Sequence, residues 1–280
     1  ELDWNEIRSL RLIWSGVEDN DILQIAKMEL VGNEWQELGI APSASESYDL
    51  SNAESVFSIA VINTEDNADS YLPPRGVEGE YDPINEIQSK EQSLVLKFTN
   101  LEDGNKVAAK KTLYTNSGNN YLIYDKMKMY VHGSSDLDTN NVEFFFRFGL
   151  GDDYYEIIQP VYKGWDEEDG RNSINLNLNW LTKLKLQSGE DVKIRSSDIF
   201  QDSAGVKIYL FTDENENMTG KKIILHGSPS LSRIQYFTVG INNVSGDMIS
   251  GEVWIDELRL SGGKKDKGVA MRVQSKFNLG

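Results

Sequence analysis

Short runs of β-forming residues, separated by turns, fill the chain from Ser93 onward and limit its fold more than any other feature of the sequence. Apolar and polar residues alternate clearly in Met127–Val131, as they do in a strand with one buried face. The predicted strands are 94–99, 106–113, 126–132, 142–148, 154–158, 206–212, 221–225, 236–241 and 253–260. Many short strands with few helical stretches predict an all-β protein, and most simply a jelly-roll-type β-sandwich.

Two stretches allow more specific predictions. Leu178, Leu181 and Leu184 recur at a spacing that predicts a short helix over 178–186, although the alternation of 174–178 also suits a strand. In the last predicted strand, the alternation places Trp254, Leu258 and Leu260 on one face, for which burial is predicted, and Ile255 and Glu257 on the other.

An internal echo suggests two sandwich modules. Residues 7–32 and 234–262 both consist of an apolar strand, a polar turn and a second strand that contains Glu-Leu shortly before Gly. Each is predicted to be the closing hairpin of a module. The predicted organisation is therefore 1–50 as the remnant of an upstream sandwich, 51–93 as an extended strand and long ordered loop, 94–262 as the jelly roll, and 263–280 as a linker and further strand.

Two segments differ from the sandwich pattern. Residues 63–92 are charged, rich in proline and without period, which predicts a long loop held against one face of the sandwich. In 268–280 apolar and polar residues alternate after a basic turn. This pattern fits one strand of an outer-membrane barrel, and it fits a surface edge strand equally well.

Composition excludes several function classes. The formal net charge of −17 argues against binding to nucleic acid or to anionic lipid through charge. The chain has no cysteine, so disulfides and thiolate metal sites are excluded. No apolar run reaches the roughly 20 residues of a membrane helix, and no signal-peptide pattern is visible. The first residue is Glu1 rather than Met, and we interpret the chain as a fragment of a larger protein.

Residues suited to catalysis or metal binding are dispersed. His132 and His226 are the only histidines and stand far apart, which favours structural roles over a triad or zinc site. Carboxylate groups such as Asp152-Asp153 and Glu167–Asp169 are typical of solvated turns. Asp213, Asn215 and Asn217 loosely resemble the alternating oxygen ligands of a calcium loop, without the glycine and terminal glutamate of an EF-hand. No catalytic residue and no cofactor are therefore predicted, with calcium as the one metal that the pattern suggests.

Aromatic residues provide the alternative of a sugar-binding groove. Rings that line such a groove would come from this set: Trp165, Trp180, Tyr154, Tyr155 and Tyr162. Burial in the core explains most of them equally well.

Several short stretches, spread in order over the chain, resemble the SprA/Sov family of giant outer-membrane translocons of type IX secretion and gliding motility. The stretches are 5–11 (NEIRSLR), 29–35 (ELVGNEW), 61–67 (VINTEDN), 73–78 (PPRGVE), 91–94 (EQSL), 124–131 (YDKMKMYV), 147–149 (RFG), 153–156 (DYYE) and 251–260 (GEVWIDELRL). The last recurs in the closing strand of many carbohydrate-binding-type jelly rolls. Their joint order carries the resemblance.

The resemblance implies a large β-barrel protein with long soluble insertions, of which this chain is one. It implies a non-catalytic structural or interaction module whose partners are other segments and subunits of the translocon, with secreted protein cargo as a further partner. The position implied is at the outer membrane, and both the cell surface and the periplasm remain open. The alternative function is that of a carbohydrate-binding module of a cell-surface protein.

Overall fold

Alternating side chains give each of two antiparallel sheets an apolar face, and these faces pack together into one core. The computed structural model describes residues 35–263, except 52, 54, 80, 84–85, 114–117, 136, 138–140 and 187–188. The strands are β1 (Trp35–Pro42), β2 (Phe57–Asn63), β3 (Tyr81–Asp82), β4 (Ile87–Gln88), β5 (Gln92–Leu101), β6 (Asn105–Thr112), β7 (Lys126–Gly133), β8 (Val142–Leu150), β9 (Asp153–Pro160), β10 (Ile174–Asn177), β11 (Ile199–Ser203), β12 (Val206–Thr212), β13 (Met218–His226), β14 (Tyr236–Asn243) and β15 (Ile249–Ser261).

The sheets have eight and five strands. The larger has the order β1-β6-β14-β8-β9-β13-β12-β11, and the smaller has the order β10-β7-β15-β5-β2, while β3 and β4 form a separate two-stranded hairpin. The chain crosses repeatedly between the two large sheets, as in a jelly roll. The predicted all-β sandwich is confirmed, and each of the nine strands predicted from the sequence lies within or overlaps an observed one.

The core is rich in aromatic side chains from the larger sheet. Phe144, Phe146 and Phe148 of β8 are all fully buried, and the ring centroids of Phe146 and Phe148 are 5.3 Å apart. Inward-facing residues of the opposite sheet complete it: Leu96, Phe98, Met127, Met129, Val131, Val253 and Ile255. Every second residue of these strands therefore faces the core, as the pleat requires.

The sandwich begins earlier than the sequence predicted. β1 pairs with β6 at the edge of the larger sheet, and β2 pairs with β5 at the edge of the smaller sheet. Residues 35–50 therefore belong in part to the sandwich and not wholly to an upstream remnant. The echoed hairpin at 7–32 and the strand predicted at 268–280 lie outside the described residues and stay predictions.

Both patterns seen near Leu178 are real, and they follow one another. β10 (Ile174–Asn177) leads directly into the helix α1 (Leu178–Leu186), whose three spaced leucines are buried. The Asn177 side-chain oxygen accepts a hydrogen bond from the Trp180 amide at 3.0 Å, which caps the amino end of the helix.

A bulge in β15 makes the prediction for Trp254 wrong. Between Asp256 and Arg259 the pairing with β7 shifts, and Glu257 adopts a left-handed backbone with φ of 53°. One extra residue in a strand reverses the faces that follow it. Val253 and Ile255 therefore face the core, Trp254 lies on the outer face, and Leu258 and Leu260 pack against the core again.

The loop after β2 is held against the outer face of the smaller sheet. Tyr71 is 1% exposed, and its ring centroid lies 5.7 Å from that of Trp254. The Trp165 indole donates a hydrogen bond to the Leu72 carbonyl at 2.8 Å, and the Arg75 amide donates to the Glu167 carboxylate at 2.6 Å. We call residues 64–79 the strap.

Candidate functional site

A charged groove lies on the outer face of the larger sheet. The pleat that turns Phe146 and Phe148 inward turns Arg147 outward, and Glu156 lies beside it on β9 in the paired register. The Arg147 guanidinium donates to the Glu156 carboxylate at 2.7 Å and to the Glu46 carboxylate at 3.0 Å. Lys106 donates to the same Glu46 at 3.0 Å. Two cations and two carboxylates thus form one network that joins the loop after β1 to the strands β6, β8 and β9.

The network ties the loop after β1 to the sheet. Burial of Glu46 opposes its ionisation, but hydrogen bonds and charges from Arg147 and Lys106 outweigh burial and lower the pKa of Glu46. Arg147 and Glu156 are only 8% and 7% exposed, so each depends on the other for its charge to be tolerated. The Arg147 guanidinium also lies 3.9 Å from the centroid of the Tyr154 ring, on which His226 stacks at 4.9 Å.

The groove encloses a cavity of about 350 Å³. Glu143, Lys222 and His226 stand at its border, and Lys222 pairs with Glu143 at 3.3 Å. The His226 Nδ1 lies 2.7 Å from the Asp152 carbonyl oxygen. The charged groups of the groove pair with each other. This arrangement suits a surface that fixes backbone segments rather than one that transfers protons.

Beneath the strap, an aromatic cluster covers the outer face of the smaller sheet. The His132 ring stacks on Trp254 with centroids 4.0 Å apart and meets the edge of Trp165 at 4.9 Å. Its buried Nδ1 has no hydrogen-bond partner within the described part of the chain. Burial lowers the pKa of His132 to about 4, so the imidazole is neutral near neutral pH.

A buried carboxyl group completes this cluster. Asp256 is 5% exposed, and burial together with the nearby charge of Glu91 raises its pKa to about 6. The Tyr71 hydroxyl lies 3.3 Å from Asp256 and 2.8 Å from the Ser93 hydroxyl. The strap therefore meets the sheet through one phenol, one carboxyl group and stacked rings.

A second cavity, of about 670 Å³, opens at the end of β9, β12 and β13. Its lining combines polar, charged and apolar side chains, among them Gln159, Tyr162, Phe211 and Lys221. We call it the end cavity.

Comparison with known proteins adds the family. A family model described as a motility related/secretion protein, SprA_N, matches residues 1–280. The chain belongs to the SprA_N family. The resemblance drawn from the sequence motifs is thereby confirmed at the level of the family.

Other comparisons are sparse. None of the curated proteins matches this SprA_N chain. A structure from a structural analysis of an exo-beta-agarase matches at 10% sequence identity with a TM-score of 0.44, over 85% of this chain and 25% of the agarase chain. The SprA_N chain thus spans a quarter of that agarase.

The residues suggested for calcium form a closed turn in the SprA_N chain. One Asp213 carboxylate oxygen accepts hydrogen bonds from the Asn215 and Asn217 amides at 2.8 and 2.9 Å, and the other accepts from the Asn217 side chain at 3.2 Å. These bonds stabilise the ionised carboxylate and lower the pKa of Asp213. Among the described residues, no group of three histidine or carboxylate side chains is placed to hold a metal ion.

The aromatic residues suggested for a sugar groove point to different parts of the sandwich. Tyr155 lies in the core. Trp180 packs against the core, and its indole N–H donates a hydrogen bond to the Val192 carbonyl at 2.9 Å. Trp165 holds the strap, Tyr154 lies on the charged groove, and Tyr162 lines the end cavity. They do not form one row.

The two histidines also stay apart, under the strap and in the charged groove. Carboxylates from the acidic runs hold neighbouring backbone and side chains. Asp153 accepts a hydrogen bond from the Ser228 amide at 2.7 Å, and Asp169 forms an ion pair with Arg171 at 2.9 Å. Sequence reasoning missed the network around Arg147, although a lone arginine within an aromatic strand was a usable signal.

No helix within the described part of the chain is long and apolar enough to cross a membrane.

The cluster under the strap predicts opposite pH effects from two residues. The folded-state pKa of His132 is below its ordinary value of 6.5, so its contribution to stability is complete above pH 6.5 and is lost as the pH falls toward about 4. The folded-state pKa of Asp256 is above its ordinary 3.8, so its contribution is complete below that value and is lost as the pH rises through about 6.

Melting temperatures of single variants separate the two effects. Compared with the wild type, Asp256→Asn should gain stability at about pH 7.5 and lose this gain near pH 4, whereas His132→Gln should be favoured by acidification from about pH 7.5 to about pH 5. Parallel curves for all three proteins over this range would contradict the assigned protonation states.

Proposed function

We propose that this sandwich is a non-catalytic structural and interaction module of a larger outer-membrane protein that serves type IX secretion and gliding motility. Membership of a motility and secretion family over the whole chain supports the general role. The charged groove and the strap support the non-catalytic part, because their titratable groups hold loops and strands in place. The proposed partners are other segments and subunits of the translocon and secreted protein cargo, and the proposed position is at the outer membrane.

The observation that carries the proposal is the position of the first and last strands. Trp35, at the start of β1, and Leu260, near the end of β15, line the same cavity of about 300 Å³. The start of the first strand and the end of the last strand therefore lie at one cavity. Close entry and exit points are what allows a domain to be inserted into another without disturbing it.

An in-frame replacement tests this role. In the gene of the larger parent protein, the segment that corresponds to residues 35–263 of this chain is exchanged for a Gly/Ser linker. A linker of about eight residues spans roughly 15 Å on average. Because the two connections are close, we expect the parent protein to stay at its normal level in the outer membrane while secretion and gliding are lost. Cell fractionation, cargo in the medium and colony spreading are the measurements.

The control carries the same linker after residue 263 with the sandwich intact, and it should secrete normally. Normal secretion without the sandwich would contradict the proposed role. Loss of the parent from the outer membrane would make the sandwich a folding element of the parent, and would contradict an interaction role.

A further inference from the structure

Gln159, which lines the end cavity, carries a buried hydrogen-bond acceptor without a donor among the described residues. Gln159, on the inward face of β9, is 1% exposed. Its side-chain NH₂ donates to the Asn172 carbonyl at 2.9 Å, which fixes the orientation of the amide. Its Oε1 has no hydrogen-bond partner among the described residues. Most buried polar atoms in proteins are paired, so this oxygen favours a ligand with an O–H or N–H donor.

The same cavity contains a cation without a counter-ion. Lys221 lies on β13, directly before Lys222. Its side chain is on the same face of the strand as that of Ile223, which pairs with Ile157. Among the described residues, none of the ion pairs within 4.0 Å involves its ammonium group. Asp213 also lines this cavity, but its carboxylate accepts hydrogen bonds from the Asn215 and Asn217 amides. Burial lowers the pKa of Lys221, because desolvation penalises the charged form. In a chain of net charge −17, such a lysine favours an anionic ligand at this point.

The remaining lining combines an ion-paired arginine with apolar side chains. Asp166 and Asp169 hold the Arg171 guanidinium at 2.6 and 2.9 Å, and this group lies 3.9 Å from the Tyr162 ring centroid. The charge of Arg171 is thereby balanced, which leaves Lys221 as the cation available to a ligand. Phe211 and the half-exposed Met218 add apolar surface, as small-ligand sites typically do.

We propose that the end cavity binds an acidic sugar, with its carboxylate on Lys221 and a hydroxyl group donating to Gln159 Oε1. The apolar face of the sugar ring lies against Phe211 and Met218. The volume of about 670 Å³ is within the range of small-ligand sites. A cavity at the end of three strands, rather than a free strand edge, favours a compact sugar over an extended peptide. This site goes beyond the proposed interaction role and does not depend on it.

Calorimetric titration of the 280-residue chain with digalacturonate tests the site. We expect binding to the wild type, at least about tenfold weaker binding to Lys221→Met, and unchanged binding to Lys222→Met, whose side chain lies in the charged groove. A second readout is the pKa of Lys221 followed by NMR, which should rise when the sugar carboxylate binds, because a nearby negative charge favours the ammonium form. This readout distinguishes a lost contact from a misfolded variant.

Three other ligands complete the experiment. The methyl ester of the same disaccharide should bind at least about tenfold more weakly, and equal binding would overturn the role of the carboxylate. Acetate that binds as well as the disaccharide would show an adventitious ion only and would overturn the sugar site. Tighter binding of a short acidic peptide would overturn it as well, as would no digalacturonate binding up to about 10 mM.

Discussion

Replacing Arg147 by Met is expected to destabilise the sandwich by about 3–5 kcal/mol, because it leaves the buried Glu156 carboxylate without its partner. Glu46 is half exposed and keeps Lys106, so the main cost falls on Glu156. Urea denaturation at neutral pH measures the loss.

The double variant Arg147→Met, Glu156→Leu is the matched control. It removes both charges and fills the site with apolar atoms, so it should recover most of the stability lost in the single variant. A single variant that loses less than about 1 kcal/mol would show that the network is too solvated to matter. A double variant as unstable as the single one would attribute the loss to packing of the arginine side chain.

Replacing Phe146 by Ala is expected to cost about 3–5 kcal/mol, because it removes a fully buried ring from the centre of the core. The ring centroid of Phe146 lies 5.3 Å from that of Phe148 and 5.7 Å from that of Phe237, so the truncation leaves a cavity between two sheets. Phe146→Leu keeps most of the volume and should cost less. Denaturant unfolding of all variants provides the comparison.

The exposed Leu186 provides the control for this prediction. It is 75% exposed at the end of α1, and Leu186→Ala should change the unfolding free energy by less than about 0.5 kcal/mol. A loss of similar size in Phe146→Ala and Leu186→Ala would contradict the assignment of the core. The contrast also tests the face assignment in β8, since a run of three phenylalanines, Phe144–Phe146, does not by itself identify the inward ones.

Features that depend on residues close in the sequence were predicted well. The strands from β5 to β9 and from β12 to β15 were recognised because each carries its own alternation and is bounded by turn residues. The helix after Asn177 was recognised because three leucines lie at helical spacing. The same local reasoning failed at Trp254, because one inserted residue in β15 reverses the faces beyond it.

The candidate sites depend on residues that are distant in the sequence. Glu46 reaches Arg147 across 101 positions, and Tyr71 reaches Asp256 across 185. Nothing near either carboxylate in the sequence identifies its partner. Gln159 and Lys221 were likewise not singled out, because an acceptor without a donor and a cation without a counter-ion are recognised only when the neighbours of both are known.

The sequence by itself determined the fold class, most of the strands, the acidic character and, through the order of its motifs, the family. The tertiary structure alone decided which residues share a face after the bulge, how early the sandwich begins, and which charges meet. The physical reason is the range of the interactions. Alternation and turn geometry act over a few residues, whereas ion pairing, ring stacking and burial join strands that become neighbours only when the two sheets pack.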